Sequence, residues 1–168
     1  MAGHQKEKQI NYGNMILRQT VIEDLEFLFK FQLDKDAINL AAFTPEDPTN
    51  KSKYLGKYKK LIDDPTVNMQ TITIDNIIVG SISKFEREGK SEITYWIDKA
   101  FWNKGIATKA LKRFLTIEKT RPIFARVAFD NLASQKVLER SNFIKTGTDK
   151  GFANARQKEI EEFIYKLI

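Results

Sequence analysis

The seven residues from position 102 to 108 form the part of the sequence best suited to binding an anion. Their order is Trp102, Asn103, Lys104, Gly105, Ile106, Ala107 and Thr108. A glycine before a helix lets backbone N–H groups approach an anion closely, and the helix N-terminus adds partial positive charge. Lys104 adds a formal charge at the same place. The segment therefore predicts a pyrophosphate site, with an ordinary turn as the alternative.

The residue types that are missing exclude several kinds of catalysis. The sequence has no cysteine, which excludes disulfides, thiolate metal sites and a thiol nucleophile. Its single histidine is His4, within residues 1–12, which we expect to be a flexible N-terminal tail. A Ser-His-Asp triad or a histidine-rich metal site therefore has no suitable histidine. We expect no metal cofactor.

Length and composition predict an ordinary globular protein. Of 168 residues 42% are hydrophobic and 30% charged, so we expect a single domain over residues 13–168. No apolar run is long enough to span a bilayer, and the polar N-terminus does not resemble a signal peptide. We therefore expect a cytoplasmic protein with no membrane partner. The net charge of +6 favours anionic ligands.

The hydrophobic periodicity predicts the elements that position the chemical residues. Strands are predicted over residues 14–19, 67–74, 77–85, 92–97, 123–129, 143–148 and 158–167. A first helix is predicted to begin at Thr20 as N-cap, with Glu23 completing a capping box. Further helices are predicted over 106–115 and 131–140, with Asn142 as a left-handed stop, and over the lysine-rich segment that contains Lys51, Lys53, Lys57, Lys59 and Lys60. This order predicts an α+β fold, a mixed, mostly antiparallel sheet of about six to seven strands flanked by about four helices.

Four segments in the second half of the sequence resemble one known family, in the same order. Gly105 and Ala107 match a coenzyme A-binding loop, with Trp102 where glutamine or arginine is usual. Residues 91–97 are similar to an Ala-Glu-Ile-Gly-Tyr-Trp strand, and residues 131–140 to an Asn-x-x-Ser-x-x-Val-Leu-Glu-Lys helix. Glu161 and Tyr165 match a closing strand. The sequence thus resembles the RimJ/RimL-like branch of the GNAT N-acetyltransferase superfamily.

The resemblance implies a GNAT-like fold and acetyl-coenzyme A as cosubstrate. The backbone at Trp96 and Ile97 would hold the pantetheine, and the amides of residues 103–108 the pyrophosphate. Asn131 would reach the pantetheine arm, and Ser134 would lie near the sulfur. The alternatives are a helix N-cap for Asn131 and a surface hydroxyl for Ser134. The implied cofactor-binding residues are Trp96, Ile97, Asn103, Lys104, Gly105, Ile106, Ala107, Thr108, Asn131 and Ser134.

Glu92 and Ser134 are the candidate catalytic residues. A carboxylate acting through water can take a proton from the acceptor amine, and Glu92 lies on the strand expected to open beside the thioester. An exposed strand residue is the alternative for Glu92. Many relatives carry a tyrosine acid seven residues after the helix asparagine, where this chain has Leu138. Ser134 is left to hydrogen-bond the sulfur, and without cysteine we expect direct transfer in a ternary complex.

The resulting prediction is an N-acetyltransferase that acts on a primary amine, either a protein N-terminus or a small-molecule amine. Phe43, Tyr54 and Tyr58 either line the acceptor site or belong to the core. The main alternative is a catalytically inactive coenzyme A-binding sensor or interaction protein, suggested by Leu138. A specific nucleic-acid partner is not expected, because no recognition motif accompanies the positive charge. A homodimer is left open.

Overall fold

The computed structural model describes residues 14–168, and the tail predicted over residues 1–12 lies outside them. Seven strands and five α-helices follow one another along the described chain, with two short 3-10 helices at Ile22–Asp24 and Lys99–Phe101. The strands are β1 (Met15–Gln19), β2 (Asn68–Ile74), β3 (Ile77–Arg87), β4 (Lys90–Ile97), β5 (Ile123–Ala128), β6 (Ile144–Ala153) and β7 (Lys158–Leu167). The helices are α1 (Leu25–Phe31), α2 (Lys35–Ala41), α3 (Lys51–Asp63), α4 (Ile106–Ile117) and α5 (Leu132–Arg140).

The strands form one sheet in the order β1-β2-β3-β4-β5-β7-β6. All neighbours are antiparallel except β4 and β5, which are parallel and are bridged only at Glu92 and Phe124. The predicted α+β architecture is confirmed. The two strands separate beyond this bridge, which opens the sheet at its centre.

Helices cover the two faces of the sheet in two groups. α4 and α5 belong to the largest core cluster, which includes Ile72, Phe114 and Leu138. α1 and α3 pack around a second cluster that includes Leu25 and Met69. Met69 and Ile72 are an odd number of positions apart on β2, so their side chains point to opposite faces of the sheet. No helix in residues 14–168 is both long enough and apolar enough to cross a membrane.

The start of the first helix differs from the prediction. Thr20 is not its N-cap, because its hydroxyl bonds the Thr71 hydroxyl at 2.9 Å on the neighbouring strand. The Asp24 carboxylate instead accepts from the Val21 amide at 3.0 Å, at the start of the 3-10 helix. Tertiary contacts with β2 therefore outweigh the local capping pattern at Thr20.

The structure has five α-helices where the sequence predicted about four, and the additional helix is α2. Asp34 caps it by accepting from the Ala37 amide at 2.9 Å. The turn between β6 and β7 packs against its end, where the Ala155 amide donates to the Ala42 carbonyl at 3.2 Å. β6 is also longer than predicted, because its pairing with β7 continues to Ala153 opposite Lys158.

Candidate active site

The opening between β4 and β5 leaves one edge of β4 without a strand partner. Its other edge pairs with β3, where Ile97 lies opposite Gly80. A Cβ atom at Gly80 would lie 2.2 Å from the carbonyl oxygen of Trp96, so only glycine permits this close approach. A ligand can therefore bind the unpaired backbone groups of β4 as a further strand would.

The segment that follows β4 forms a turn at the start of α4 whose backbone geometry suits an anion. Gly105 adopts a left-handed conformation with φ of 73° as the N-cap, and Asn103 has φ of 58°. Within residues 14–168, the amides of residues 103–108 donate to no protein oxygen. Four of them are the amides of the N-cap and the first three residues of a twelve-residue helix, and a helix N-terminus favours negative charge.

The side chains of residues 103–108 have different roles from the backbone amides of the same residues. Ile106, the first residue of α4, has its side chain buried in the core, so only its backbone is available to a ligand. Lys104 is exposed and its Nζ lies 5.5 Å from the centre of the Phe101 ring. Ala107 and Thr108 are half-buried on the first turn of the helix. The loop thus offers backbone donors and one exposed ammonium group.

Trp102 anchors the loop to the end of β4. Its indole Nε1 donates to the Ile97 carbonyl at 2.9 Å. Trp96 points to the opposite face, where its own indole donates to the Phe31 carbonyl of α1 at 3.2 Å. The unusual tryptophan in the loop therefore has a structural role that the sequence did not predict.

The first turn of α5 brings Asn131 and Ser134 together. The Asn131 Oδ1 accepts from the Ser134 amide at 3.3 Å, which makes Asn131 the N-cap of α5. Its Nδ2 donates to the Leu40 carbonyl of α2 at 3.4 Å. Asn131 therefore connects α5 to α2 at the end of β5.

Tyr95 reaches from β4 to α5 and was not among the predicted site residues. Its hydroxyl lies 2.5 Å from the Ser134 hydroxyl. Burial raises the pKa of Tyr95 to about 12, although the hydrogen bond with Ser134 acts in the opposite direction. The pair crosses the space between the open strand and the helix, on the face that carries α4. The Ser134 hydroxyl is thus hydrogen-bonded within the protein, and the residue is half-buried.

Glu92 is buried at the closed end of the opening, with 5% of its surface exposed. The alternative of an exposed strand residue is therefore wrong. Its carboxylate lies 3.2 Å from Arg126 and 3.9 Å from Arg87. Burial raises the pKa of Glu92 above its usual value, while the two arginines act to lower it. Arg126, which the sequence analysis missed, also pairs with Glu162 at 2.8 Å on β7.

Leu138 and the two candidate tyrosines are structural, whereas Phe43 is 36% exposed and stays a candidate for the acceptor site. Leu138 is almost fully buried in the main core. Tyr54 and Tyr58 stack at 4.3 Å on α3, and Tyr54 also contacts Phe29 of α1. The two tyrosines therefore belong to the packing between α1 and α3. Within the described part of the chain, no group of three or more His, Cys, Asp or Glu residues could hold a metal ion.

Comparison with known proteins places this architecture in a family. The family model of the acetyltransferase (GNAT) domain matches residues 14–144. The chain belongs to the GNAT family. This GNAT domain is accordingly an acyltransferase enzyme of the N-acetyltransferase type, and the family predicted from the motifs is confirmed.

Similar proteins support the same GNAT fold over most of the chain. The uncharacterized N-acetyltransferase p20 of Bacillus licheniformis is 22% identical over an aligned length of 167, and the match covers 92% of each chain. The ribosomal L7/L12 alpha-N-protein acetyltransferase RimL in complex with coenzyme A has a TM-score of 0.80 at 21% identity, with 92% of this chain and 94% of that chain covered. Spermidine N-acetyltransferase from Vibrio cholerae, in complex with coenzyme A and spermine, has a TM-score of 0.75 at 19% identity, with 92% and 96% covered.

Proposed function

We propose that this enzyme transfers an acetyl group from acetyl-coenzyme A directly to a primary amine, with both substrates bound at once. The acceptor is a protein N-terminus or a small-molecule amine. RimL, a protein N-terminal acetyltransferase, and a spermidine acetyltransferase share the fold, and they represent these two acceptor classes. The absence of cysteine from the sequence favours direct transfer, because no acetyl-thiol intermediate can form on the chain.

The proposed cofactor path follows the open edge of β4 to the start of α4. The pyrophosphate binds the amides of residues 103–108, and the pantetheine lies along the backbone at Trp96 and Ile97. The Ile97 carbonyl keeps a second lone pair when Trp102 donates to it, so it can accept another hydrogen bond. The side-chain NH2 of Asn131 has a second hydrogen besides the one that it donates to Leu40, and it donates this hydrogen to the pantetheine arm. Ser134 lies beside the sulfur.

The proposed chemistry combines positioning with proton removal. Binding both substrates in the opening between β4 and β5 places the amine next to the thioester, which lowers the entropic part of the barrier. Glu92 is the proposed general base, acting through water. Its buried position raises its pKa toward neutrality, which suits a base that must take and then release a proton.

The observation that carries the proposal is the left-handed Gly105 at the start of α4, directly beside the open edge of β4. Gly105→Val should weaken coenzyme A binding at least tenfold, since a β-branched residue is strained at this φ and crowds the amides. Isothermal titration calorimetry measures the change.

Gly89 provides a matched control at the other end of β4. It has φ of 76° in the exposed turn between β3 and β4, and a Cβ atom there would meet nothing within 4 Å. Gly89→Val should carry similar backbone strain and still bind coenzyme A normally. Equal affinities in the Gly105 and Gly89 variants would remove the pyrophosphate from its proposed place.

A second candidate function is a coenzyme A-binding sensor without turnover. Leu138, buried in the core, supports it because the usual tyrosine acid is absent from that position. A panel of small amines and N-terminal peptides, with free thiol release as readout, separates the two functions. Thiol release with any acceptor establishes the transferase, and tight binding of acetyl-coenzyme A without release establishes the sensor.

A further inference from the structure

We propose that Tyr95 is a positioning residue that directs the Ser134 hydroxyl hydrogen toward the sulfur of coenzyme A. The inference rests on the proposed function, which places this sulfur beside Ser134. It assigns a role in thiolate stabilisation to a tyrosine on β4. The chain has no tyrosine at position 138, so Ser134 is the assigned partner of the departing thiolate, and Tyr95 would orient its hydroxyl.

The proposal assigns one direction to the hydrogen bond between the two hydroxyls, either of which could be the donor at this separation. The Tyr95 oxygen lies 2.5 Å from the Ser134 Oγ and 3.4 Å from the Ser134 backbone carbonyl. When Tyr95 donates its only hydrogen to the Oγ, the serine hydrogen must point elsewhere. The open edge of β4 lies next to this pair, so the serine hydrogen is available to a ligand bound along that edge.

The surroundings of Tyr95 keep this arrangement constant over the neutral pH range. Tyr95 packs against the core cluster that contains Ile93 and Ile97, on the same side of β4. Glu92 is an odd number of positions away, so its carboxylate points to the opposite face. The carboxylate of Glu139 lies at the other end of α5, where it accepts a hydrogen bond from the Tyr165 hydroxyl. Tyr95 therefore remains a neutral hydrogen-bond donor.

The relative acidities indicate hydrogen bonding to the thiolate rather than proton transfer from Tyr95. The pKa of Tyr95 is about 12, whereas an ordinary thiol has a pKa of about 8.5. Complete transfer would be unfavourable by a factor of about three thousand. A serine hydroxyl held in place by a neighbouring donor can still stabilise the charge that develops on sulfur as the C–S bond breaks.

The test measures the thiol pKa of bound coenzyme A, which requires no knowledge of the acceptor. Ultraviolet difference titration against the desulfo-coenzyme A complex reports the thiolate directly. In the wild-type protein the pKa of the bound thiol should be lower than that in Tyr95→Phe by about one unit, a tenfold difference in the ionisation constant. Tyr95→Phe and Ser134→Ala should show the same value, and combining them should add nothing.

Tyr165→Phe is the matched control. It also removes one hydroxyl that bonds an α5 side chain, since the Tyr165 hydroxyl lies 3.3 Å from Glu139. This variant should keep the wild-type thiol pKa. An unchanged thiol pKa in Tyr95→Phe, with coenzyme A still bound, overturns the proposal and leaves the transferase function standing. An equal shift in Tyr165→Phe overturns it too, because the effect then belongs to the position of α5.

Where an acceptor has been found, turnover gives a second readout. Tyr95→Phe should lower kcat about tenfold or more and leave the KM for acetyl-coenzyme A unchanged, because the bond to sulfur strengthens only as charge develops. A variant that raises KM at constant kcat would show that Tyr95 supports cofactor binding only. Loss of coenzyme A binding in Gly105→Val tests the transferase proposal separately.

Discussion

Arg126 connects carboxylates on three other strands around the predicted base. Its guanidinium pairs with Glu92 on β4, Asp149 on β6 and Glu162 on β7. Burial is the largest influence on the pKa of Glu92 and raises it, while Arg126 and then Arg87 act to lower it. The net direction is upward, so the arginines moderate the effect of burial without cancelling it. Glu92 can therefore titrate closer to neutral pH than an exposed glutamate.

Glu92→Gln keeps the shape of the side chain and removes its basicity. Because a base with a raised pKa loses its proton only above its ordinary value, wild-type kcat/KM should rise with pH through that raised pKa. Glu92→Gln should remove this acidic limb and lower the rate by about 100-fold, the low end for general-base catalysis. A pH–rate profile with a reactive amine checks the prediction.

Glu162→Gln is the comparison variant for this measurement. Glu162 is also buried and shares Arg126 with Glu92, so its replacement disturbs the same ion-pair network. The acidic limb should survive in this variant. If the limb disappears with Glu162→Gln and persists with Glu92→Gln, the base is assigned to the wrong carboxylate.

At the scale of elements, the shape of the opening depends on how β3 supports β4. β3 contains a bulge where its pairing with β2 shifts between Ile72 and Thr73. Gly80 lies beside this shift and faces Ile97 across the ladder with β4. The missing side chain lets the Trp96 carbonyl approach the Gly80 backbone. The position of the β4 edge, and with it the proposed pantetheine path, therefore depends on this glycine.

We predict that Gly80→Ala displaces the β4 edge and weakens coenzyme A binding together with stability. A Cβ atom 2.2 Å from a backbone oxygen forces the strands to move. Overpacking of this kind costs about 1–3 kcal/mol of unfolding free energy. Chemical denaturation and calorimetric titration of coenzyme A measure the two effects.

Gly56→Ala is its control, because Gly56 lies within α3 and a Cβ atom there meets nothing within 4 Å. Alanine should stabilise this helix by about 0.5–1 kcal/mol and leave cofactor affinity unchanged. Normal coenzyme A affinity in Gly80→Ala would show that the β4 edge does not depend on the close approach to β3.

For the molecule as a whole, one buried carboxylate joins the edge of the sheet to the first helix. Asp24 accepts two hydrogen bonds from Arg18 of β1, at 2.7 and 2.8 Å. It also accepts from the Thr71 hydroxyl of β2 and from the Val21 amide. Burial by itself would raise the pKa of Asp24, but the hydrogen bonds, led by that from Arg18, lower it below its usual value.

The sign of the pH effect follows from this lowered pKa. A carboxylate whose pKa is lower in the folded state contributes stability above its unfolded pKa of about 3.9 and loses that contribution as pH falls through the folded value. Asp24→Asn should therefore destabilise the protein at neutral pH by about 1.5–3 kcal/mol, the range for hydrogen bonds to a charged group. The difference from wild type should shrink in strong acid.

Urea unfolding at several pH values measures this convergence. Asp63→Asn, at the exposed end of α3, should follow the wild-type curve closely. A deficit in Asp24→Asn that stays constant down to strong acid would mean that charge at Asp24 contributes nothing, and that packing alone explains the loss.

The sequence by itself determined the elements whose signals are local. The predicted bounds of β7 agree with the structure, and β2 to β5 and α4 differ from it by a few residues at their ends. Asn142 has the left-handed φ of 67° expected after α5. Hydrophobic periodicity, turn residues and helix stops depend on neighbouring residues, so they can be read without knowing the fold. The family motifs are short contiguous segments for the same reason.

Only the tertiary structure decided which side chains meet. Tyr95 and Ser134 are 39 positions apart, and Arg126 and Glu162 are 36 apart, so no local pattern brings either pair together. Thr20 has a capping pattern in the sequence, but it bonds Thr71 because β2 lies beside it. Such contacts depend on strand order and register, which arise from packing of the whole chain. The elements of this site were therefore predictable, and the hydrogen bonds that tune its acids and bases were not.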